Sequence, residues 1–304
     1  MSDTQQPTSW LVVGAGGQLG QDLLDVLAGT SGVRAEGLTR AELDITDPAA
    51  VRAAVAGHQV VVNAAAWTNV DAAETAEEAA AAVNGAGARN LAAACAGTGA
   101  RLLQVSTDYV FAGDGDSPYQ ESAPTGPVSA YGRSKLLGER AVAELLPEHG
   151  YIVRTAWLYG EHGRNFVATM LKLSAQRDTL DVVDDQRGQP TWSHDLARQL
   201  RDLGQAAVEG GAPAGIYHGT ASGETTWFEL ARTVFELSGL DPERVRPTTS
   251  AAFVQAAKRP AYSVLGHDRW VEAGLKPLPH WRDSLAEALR RPGFAALTGS
   301  PGPG

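Results

Sequence analysis

Three glycines spaced three residues apart separate a short apolar run from a helical pattern near the start of the chain. The run Trp10-Leu-Val-Val13 has the composition of a buried parallel strand and ends directly at Gly14. Gly14, Gly17 and Gly20 then lead into a predicted helix over Gln21–Ala28. Such glycines permit a tight turn, the approach of a pyrophosphate to the backbone and close packing of strand and helix. The motif predicts a dinucleotide-binding strand–turn–helix unit.

Strands and helices alternate along the rest of the first half. Further buried strands are predicted at Val33–Leu38, Gln59–Asn63, Leu102–Ser106 and Tyr151–Thr155. A long Ala- and Glu-rich helix is predicted from about Ala72 to Ala96. This alternation predicts an α/β fold with a doubly wound parallel sheet of the Rossmann type. The looser pattern that follows predicts a smaller C-terminal α/β lobe that binds the substrate.

The domain boundaries are predicted from the same pattern. Residues 8–158, with a return segment at about 192–220, are expected to form the dinucleotide-binding domain. A helix capped by Ser193 opens that return segment. Residues 159–191 and 221–292 are expected to form the substrate lobe. The tail over 293–304 is rich in Gly and Pro, which predicts disorder.

The end of the second strand bears on which nicotinamide cofactor is used. An NAD site usually has Asp or Glu about 20 residues beyond the glycines, where it holds the ribose 2′-hydroxyl. Here the strand ends with Leu38-Thr39-Arg40, and a Thr with an Arg suits a 2′-phosphate better. The sequence therefore favours NADPH, with NADH as the alternative. That Arg40 is only a surface charge stays an open reading.

The other cofactor-binding candidates follow predicted strands or begin the first helix. Asp44 and Ile45 can meet the adenine edge, and three alanines after Asn63 leave room at a strand's carboxyl end. The residues expected to bind the cofactor are Gly14, Gly17, Gln18, Leu19, Gly20, Arg40, Asp44, Ile45, Ala64, Ala65, Ala66, Val105, Tyr131 and Lys135.

A Tyr and a Lys four residues apart, Tyr131 and Lys135, lie on one face of a predicted helix. The lysine charge is expected to lower the tyrosine pKa from its usual value near 10. Such a Tyr can exchange a proton with a carbonyl or hydroxyl oxygen near neutral pH. Because Ser106-Thr-Asp108 also follows a strand, the combined pattern predicts an oxidoreductase.

Composition restricts the partners and the compartment. The net charge of −10, with no basic run, argues against a nucleic-acid partner. No apolar stretch approaches the roughly 18 residues of a membrane span. The single Cys95 lies in an Ala-rich helical stretch and is expected to be buried. A cytoplasmic protein without membrane association is expected.

Several longer motifs resemble those of a known family. They are Gly17-Gln-Leu-Gly20, Ser106-Thr-Asp-Tyr-Val-Phe111, Tyr131-Gly-Arg-Ser-Lys-Leu-Leu-Gly-Glu139, Arg154-Thr-Ala-Trp157, Asn165-Phe-Val, Val183-Asp-Asp-Gln186 and Arg259-Pro. Together they resemble the extended short-chain dehydrogenase/reductases that act on nucleotide sugars, and within them the dTDP-4-dehydrorhamnose reductases. The resemblance covers nearly the whole chain except its two ends.

The resemblance implies an NADPH-dependent reduction of the C4 ketone of dTDP-4-dehydro-L-rhamnose to dTDP-L-rhamnose. Tyr131 would donate a proton to the C4 oxygen, Thr107 would orient that oxygen, and Lys135 would hold the nicotinamide ribose and keep the tyrosine pKa low. The substrate is expected to contact Thr107, Asp108, Tyr109, Trp157 and Asn165, and the nucleotide half also 189–191.

Alternatives to this reading remain. Related 4,6-dehydratases carry Asp-Glu after the Thr, whereas here Tyr109 follows Asp108, which favours a reductase. Another dTDP-4-keto-6-deoxyhexose can be the substrate, or the chain can be a non-catalytic regulatory subunit of the methionine adenosyltransferase type. Some family members are homodimers with bound Mg²⁺. Asp22 and Asp195 fall near those acidic positions, but solvated or capping carboxylates are favoured over a metal site.

Overall fold

The computed structural model describes residues 6–298. In chain order, the strands are β1 (Thr8–Val13), β2 (Val33–Leu38), β3 (Val60–Asn63), β4 (Arg101–Thr107), β5 (Gly150–Thr155), β6 (Leu158–Tyr159), β7 (Leu180–Val183), β8 (Arg187–Gly188), β9 (Thr191–Trp192), β10 (Gly215–His218), β11 (Thr225–Thr226) and β12 (Val245–Thr248). The α-helices are α1 (Gln18–Ala28), α2 (Pro48–Val55), α3 (Val70–Ala73), α4 (Glu77–Ala81), α5 (Ala88–Thr98), α6 (Ala130–Leu145), α7 (Phe166–Ser174), α8 (Ser193–Glu209), α9 (Trp227–Leu237), α10 (Asp268–Glu272), α11 (Trp281–Ala288) and α12 (Pro292–Thr298). No helix among these is long and apolar enough to cross a membrane.

Six strands form one parallel sheet in the order β10-β5-β4-β3-β1-β2. The chain leaves β1 toward β2 on one side and continues through β3, β4 and β5 on the other. This reversal opens a crevice at the carboxyl ends of β1 and β3, where ligands bind in open α/β sheets. The predicted doubly wound Rossmann-type sheet is confirmed.

Helices cover both faces of the sheet, and the strand β1 contributes side chains to both apolar layers. Trp10 and Val12 pack against α1 and α8, whereas Leu11 and Val13 pack against residues of α2, α5 and α6. Cys95 is buried in the second of these layers, as predicted. Alternate side chains of β1 are therefore buried on opposite faces, which explains why the strand is apolar throughout.

A separate apolar core forms in the second half of the chain. It is built from α7, α9, α11 and α12 together with β7 and β12, which pair in parallel. Val167, Leu230, Phe235 and Leu285 are almost completely buried within it. This core supports the loops that face the carboxyl end of the large sheet.

The predicted continuous helix over Ala72–Ala96 is wrong. The chain forms α3 and α4, then a π-helical segment at Ala82–Gly87, and only then α5. Asn84 in that segment accepts from the Trp67 amide (2.8 Å) and donates to the Ser134 hydroxyl (2.9 Å). Composition shows helix propensity but not these distant partners, which draw Asn84 out of α-helical register.

Two predictions about helix ends are also wrong. Trp192 rather than Ser193 precedes α8, and the Ser193 hydroxyl donates instead to Asp22 and to the Tyr159 carbonyl. The segment 293–298, predicted to be disordered, belongs to α12, because Phe294 is buried against Tyr159. Residues 299–304 of the predicted tail lie outside the described residues.

Candidate active site

The glycine-rich turn is packed too tightly for side chains at two of its three positions. Gly14 has a φ of +85°, and a Cβ there would lie 2.6 Å from the Ala65 nitrogen. A Cβ on Gly20 would lie 2.3 Å from the Gly14 carbonyl oxygen. Gly17 begins α1 without a side chain to cap it, so the first N–H groups of the helix face the turn. The N–H groups at the start of a helix are suited to bind an anion such as a phosphate.

We expect Gly20→Ala to lower the free energy of unfolding by about 1–3 kcal/mol, because the added methyl group forces α1 away from the turn. The affinity for NADPH should fall in the same variant, as measured by fluorescence titration. Gly97→Ala in α5 is the matched control, since a Cβ there meets nothing within 4 Å. That control should be neutral or more stable. Equal behaviour of the two variants would contradict the packing argument.

The end of β2 carries an exposed arginine and a hydrogen-bonded threonine. Arg40 is exposed just beyond the strand. Thr39 instead donates both its amide (2.9 Å) and its hydroxyl (2.7 Å) to the Glu42 carboxylate, which lowers the pKa of Glu42. Arg40 is thus exposed at the end of β2, whereas the Thr39 hydroxyl is already bonded to Glu42.

The remaining cofactor candidates lie in different surroundings. The Asp44 carboxylate accepts from the amide and hydroxyl of Thr46, which lowers its pKa. The Ile45 side chain is buried in the core, so only its backbone is left for a ligand. Ala64–Ala66 follow β3 and are partly exposed at the crevice. The Val105 carbonyl accepts from Lys135.

Thr107 and Tyr131 are brought together by β4 and α6. Thr107 is the last residue of β4, and Tyr131 lies in the first turn of α6, which Ser129 caps at the Gly132 amide (3.1 Å). The Thr107 side chain lies close enough to the Tyr131 phenol to lower its pKa. The Thr107 hydroxyl also donates to Asp108 Oδ1 (2.9 Å), which fixes its rotamer.

The predicted lowering of the tyrosine pKa is wrong for this structure. Burial raises the pKa of Tyr131 to about 12, although the hydrogen bond with Thr107 opposes the rise. The Lys135 ammonium donates to the Val105 carbonyl (2.7 Å), and burial lowers its pKa to about 8. Spacing along a helix placed both groups in the site but did not determine where the ammonium points. The phenol is therefore protonated at neutral pH, which suits a proton donor.

Asp108 and Tyr109 line the same end of β4. Asp108 is buried, which raises its pKa to about 6, while hydrogen bonds with Ser263 and Thr107 oppose the rise. The Tyr109 ring meets the Tyr131 ring edge-on at 5.6 Å. The substrate candidates next to Thr107 are therefore adjacent to the proposed proton donor.

A cavity of about 330 Å³ opens beside this cluster. Tyr109 and Ser263 belong to its wall. The wall also contains two stacked indoles, Trp157 and Trp227, whose ring centroids lie 3.6 Å apart with nearly parallel planes. Trp157 has a φ of +48°, a conformation that costs energy in a residue with a side chain. One face of Trp157 is covered by Trp227, and the Gly188 backbone lies so close to the same indole that a Cβ there would come within 2.5 Å of it. The cavity is also lined by Phe166, Met170, Asp181, Val182, Val183, Gln186, Ser250, Phe253, Gln255, Arg259 and Pro260.

Sequence reasoning did not identify Trp227 and did not assign a role to Gln186. The Trp227 indole N–H donates to Gln186 Oε1 (3.1 Å), and Gln186 Nε2 donates to the Ser250 hydroxyl (2.8 Å). These bonds fix the amide orientation of Gln186 at the cavity wall. Trp227 lies in the first turn of α9, and nothing in the sequence distinguished it from a core residue.

Two other residues expected to bind the substrate, Asn165 and Gln189, are hydrogen-bonded within the protein. Asn165 caps α7 at the Ala168 amide (2.9 Å) and donates to the Gly160 carbonyl (2.7 Å) and to Gln18 Oε1 (3.3 Å). Gln189 is buried and accepts from the Leu265 amide (2.8 Å). Asn165 therefore contacts the glycine-rich turn, and the structure does not bring it to the cavity wall.

The expected solvated character of Asp22 and Asp195 is wrong. Both are buried, and they accept from the hydroxyls of Ser193 and Ser284, respectively. Burial raises the pKa of each carboxyl. Within residues 6–298, no group of three or more His, Cys, Asp or Glu side chains is arranged to hold a metal ion. Apolar packing of α1 on α8 buries both groups, which local sequence does not reveal.

Comparisons with known proteins agree with this arrangement. The family described as the RmlD substrate binding domain matches residues 8–293. Over 297 residues, the chain is 58% identical to dTDP-4-dehydrorhamnose reductase from Streptomyces griseus, with 97% of each chain covered. Over 282 residues, it is 53% identical to dTDP-4-keto-6-deoxy-D-glucose reductase from Streptomyces niveus, with 92% of this chain and 96% of the relative covered.

A solved structure also matches over nearly its whole length. It is dTDP-4-dehydrorhamnose reductase from Bacillus anthracis in complex with NADP, at 35% identity and a TM-score of 0.88. The alignment covers 93% of this chain and 99% of that structure.

Proposed function

The chain belongs to the family described as the RmlD substrate binding domain, and we propose that it reduces the C4 ketone of dTDP-4-dehydro-L-rhamnose with NADPH. The chain is an oxidoreductase. The observation that carries the proposal is the meeting of Thr107 and Tyr131 at the carboxyl end of β4, directly beside the cavity that Tyr109 and Trp157 line. Intact Thr107, Tyr131 and Lys135 disfavour a non-catalytic regulatory role.

Tyr131 is the group that supplies the proton. Its raised pKa keeps the phenol protonated at neutral pH, so it can protonate the C4 oxygen as negative charge develops there. The Thr107 hydroxyl, which lies beside the phenol, can donate to the resulting phenolate once it turns from Asp108. The nicotinamide, when bound, supplies the hydride.

Lys135 and the glycine-rich turn are proposed to hold the cofactor. The Lys135 ammonium has donors left after its bond to the Val105 carbonyl, and these can reach ribose hydroxyls. The N–H groups at the start of α1 receive the pyrophosphate.

The NADP-bound relative supports NADPH as the cofactor, and we propose that Arg40 contacts its 2′-phosphate. Arg40→Ala should raise the KM for NADPH about tenfold while changing the KM for NADH less than about twofold, because one charge-assisted hydrogen bond is lost. Steady-state kinetics with both cofactors measures this difference. Arg52→Ala, which removes an exposed charge from α2, is the control. An equal rise with both cofactors would contradict the assignment.

A second substrate is supported by the relative that reduces dTDP-4-keto-6-deoxy-D-glucose. Both keto sugars present a C4 carbonyl to the same donor, and they differ in the stereochemistry of the ring. The deciding experiment incubates the purified protein and NADPH separately with each keto sugar and identifies the product by NMR. Formation of dTDP-L-rhamnose supports the first proposal. Cofactor binding without oxidation by either sugar would overturn both.

A further inference from the structure

We propose that Asp71 is a positioning residue for the diphosphate of the nucleotide sugar, acting through Arg259. The inference rests on the proposed function, because it takes the substrate to be a dTDP-sugar. Asp71 lies in α3, on the side of the molecule that carries the large sheet, whereas Arg259 belongs to the cavity wall. The ion pair between the two side chains joins α3 to the cavity wall.

Three hydrogen bonds form a closed arrangement around the Asp71 carboxylate. Asp71 Oδ2 accepts from Arg259 Nη2 (2.6 Å), and Oδ1 accepts from the Ala257 amide (3.0 Å). Arg259 Nη1 also donates to the Ala257 carbonyl (3.1 Å). These bonds lower the pKa of Asp71, which is therefore ionised at neutral pH. The position of the Arg259 guanidinium is thus fixed by one carboxylate and one peptide group.

Arg259 keeps the capacity to bind an anion. Its two bonds to Asp71 and Ala257 leave further N–H donors on the guanidinium. Among the described residues that line the cavity, Arg259 carries the single positive charge. A diphosphate entering this cavity has two negative charges to neutralise, and a guanidinium matches phosphate oxygens in pairs. Asp71 therefore orients the cation while occupying only one of its N–H donors.

The segment 250–259, which forms part of the cavity wall, is hydrogen-bonded to carboxylates at both of its ends. At one end, Asp185 accepts from the Ser250 amide and hydroxyl, and at the other end Asp71 holds Ala257 and Arg259. Between them, Phe253 is 47% exposed and Val254 is fully exposed. Because apolar packing holds this middle part weakly, loss of Asp71 should free the end that carries Arg259.

The stretch around Asp71 also contacts the helix that carries the proton donor. Glu74, which follows α3 directly, accepts from the Ala130 amide (2.8 Å) at the start of α6. The Arg259 guanidinium and the first turn of α6 are thus both hydrogen-bonded to residues 71–74. This connection places the diphosphate contact at a defined distance from Tyr131.

The test is a double-mutant cycle on the binding of dTDP, measured by calorimetry with wild type, Asp71→Ala, Arg259→Ala and the double variant. We expect Asp71→Ala to weaken dTDP binding about tenfold in the wild-type background and less than about twofold when Arg259 is already Ala. In steady-state kinetics, Asp71→Ala should raise the KM for the nucleotide sugar while kcat stays within about threefold. Asp71→Asn keeps an acceptor for the Ala257 amide but loses the charge. Its affinity for dTDP should lie between those of wild type and Asp71→Ala.

Glu77→Ala is the matched control, because its carboxylate pairs with Arg133 on the surface near the same stretch. It should bind dTDP like wild type. Unchanged dTDP affinity in Asp71→Ala, or an equal loss in both Arg259 backgrounds, would overturn the inference. Failure of the wild-type protein to bind dTDP would instead overturn the proposed function.

Discussion

Replacing Tyr131 with Phe is expected to lower kcat for the C4 reduction by about a thousandfold, because only the hydroxyl group that donates the proton is removed. The ring remains to pack edge-on against Tyr109, so the shape of the site should persist. Affinity for NADPH should change less than about threefold. Stopped-flow measurement of a single turnover would separate the chemical step from binding and product release.

A buried tyrosine away from the site provides the control. Tyr151 is buried in β5, and its hydroxyl donates to the Ala212 carbonyl (3.0 Å). Tyr151→Phe loses one hydrogen bond, at a cost of about 1 kcal/mol in stability, and should keep full turnover. Near-normal turnover in Tyr131→Phe would remove the phenol from the mechanism and direct attention to Asp108.

The glycine-rich turn and the shared helix face of Tyr131 and Lys135 could be predicted from the sequence because each depends on local rules. Gly14 and Gly20 are required by backbone contacts within one strand–turn–helix unit. Tyr131 and Lys135 share a face because of helical periodicity. The residues that form each feature lie within a few positions of one another, so a short sequence pattern locates each feature.

Features that depend on distant partners were not predictable in this way. The pKa of Tyr131 is set by burial against other elements rather than by the lysine one turn away. Asn84 leaves α-helical register for Trp67 and Ser134, and the burial of Phe294 forms α12 at the predicted tail. The stacking of Trp157 on Trp227 joins residues 70 positions apart. Such contacts follow from the packing of two cores, which no short sequence motif encodes.

The largest expected loss of stability follows from replacing Arg154 with Met. Arg154 donates to both oxygens of Glu139, through Nε (2.9 Å) and Nη2 (2.7 Å), and both side chains are less than 5% exposed. Removing the guanidinium leaves a buried carboxylate without its counter-charge, which should lower the free energy of unfolding by about 3–5 kcal/mol. Urea denaturation at neutral pH measures this loss.

The position of this ion pair explains why its loss should also reach the active site. Arg154 lies on β5 opposite Ser106 of β4, and the Ser106 hydroxyl donates to Glu139 (2.6 Å) on α6. Glu139 on α6 is thus bound to β5 through Arg154 and, through Ser106, to β4, the strand that ends at Thr107. Arg154 also lies 4.8 Å from the centre of the Phe111 ring, so the Met side chain replaces part of its packing but none of its charge.

An exposed ion pair provides the control for this prediction. Arg89 and Glu144 form the same two-point contact between α5 and α6, but both side chains are more than half exposed. Arg89→Met should therefore lower the free energy of unfolding by less than about 1 kcal/mol, because solvent screens the pair and hydrates the carboxylate left behind. Similar losses in the two variants would mean that burial does not determine the strength of the Arg154 contact. A larger loss for Arg154→Met, together with reduced turnover, would identify the buried pair as the support that holds Thr107 against Tyr131.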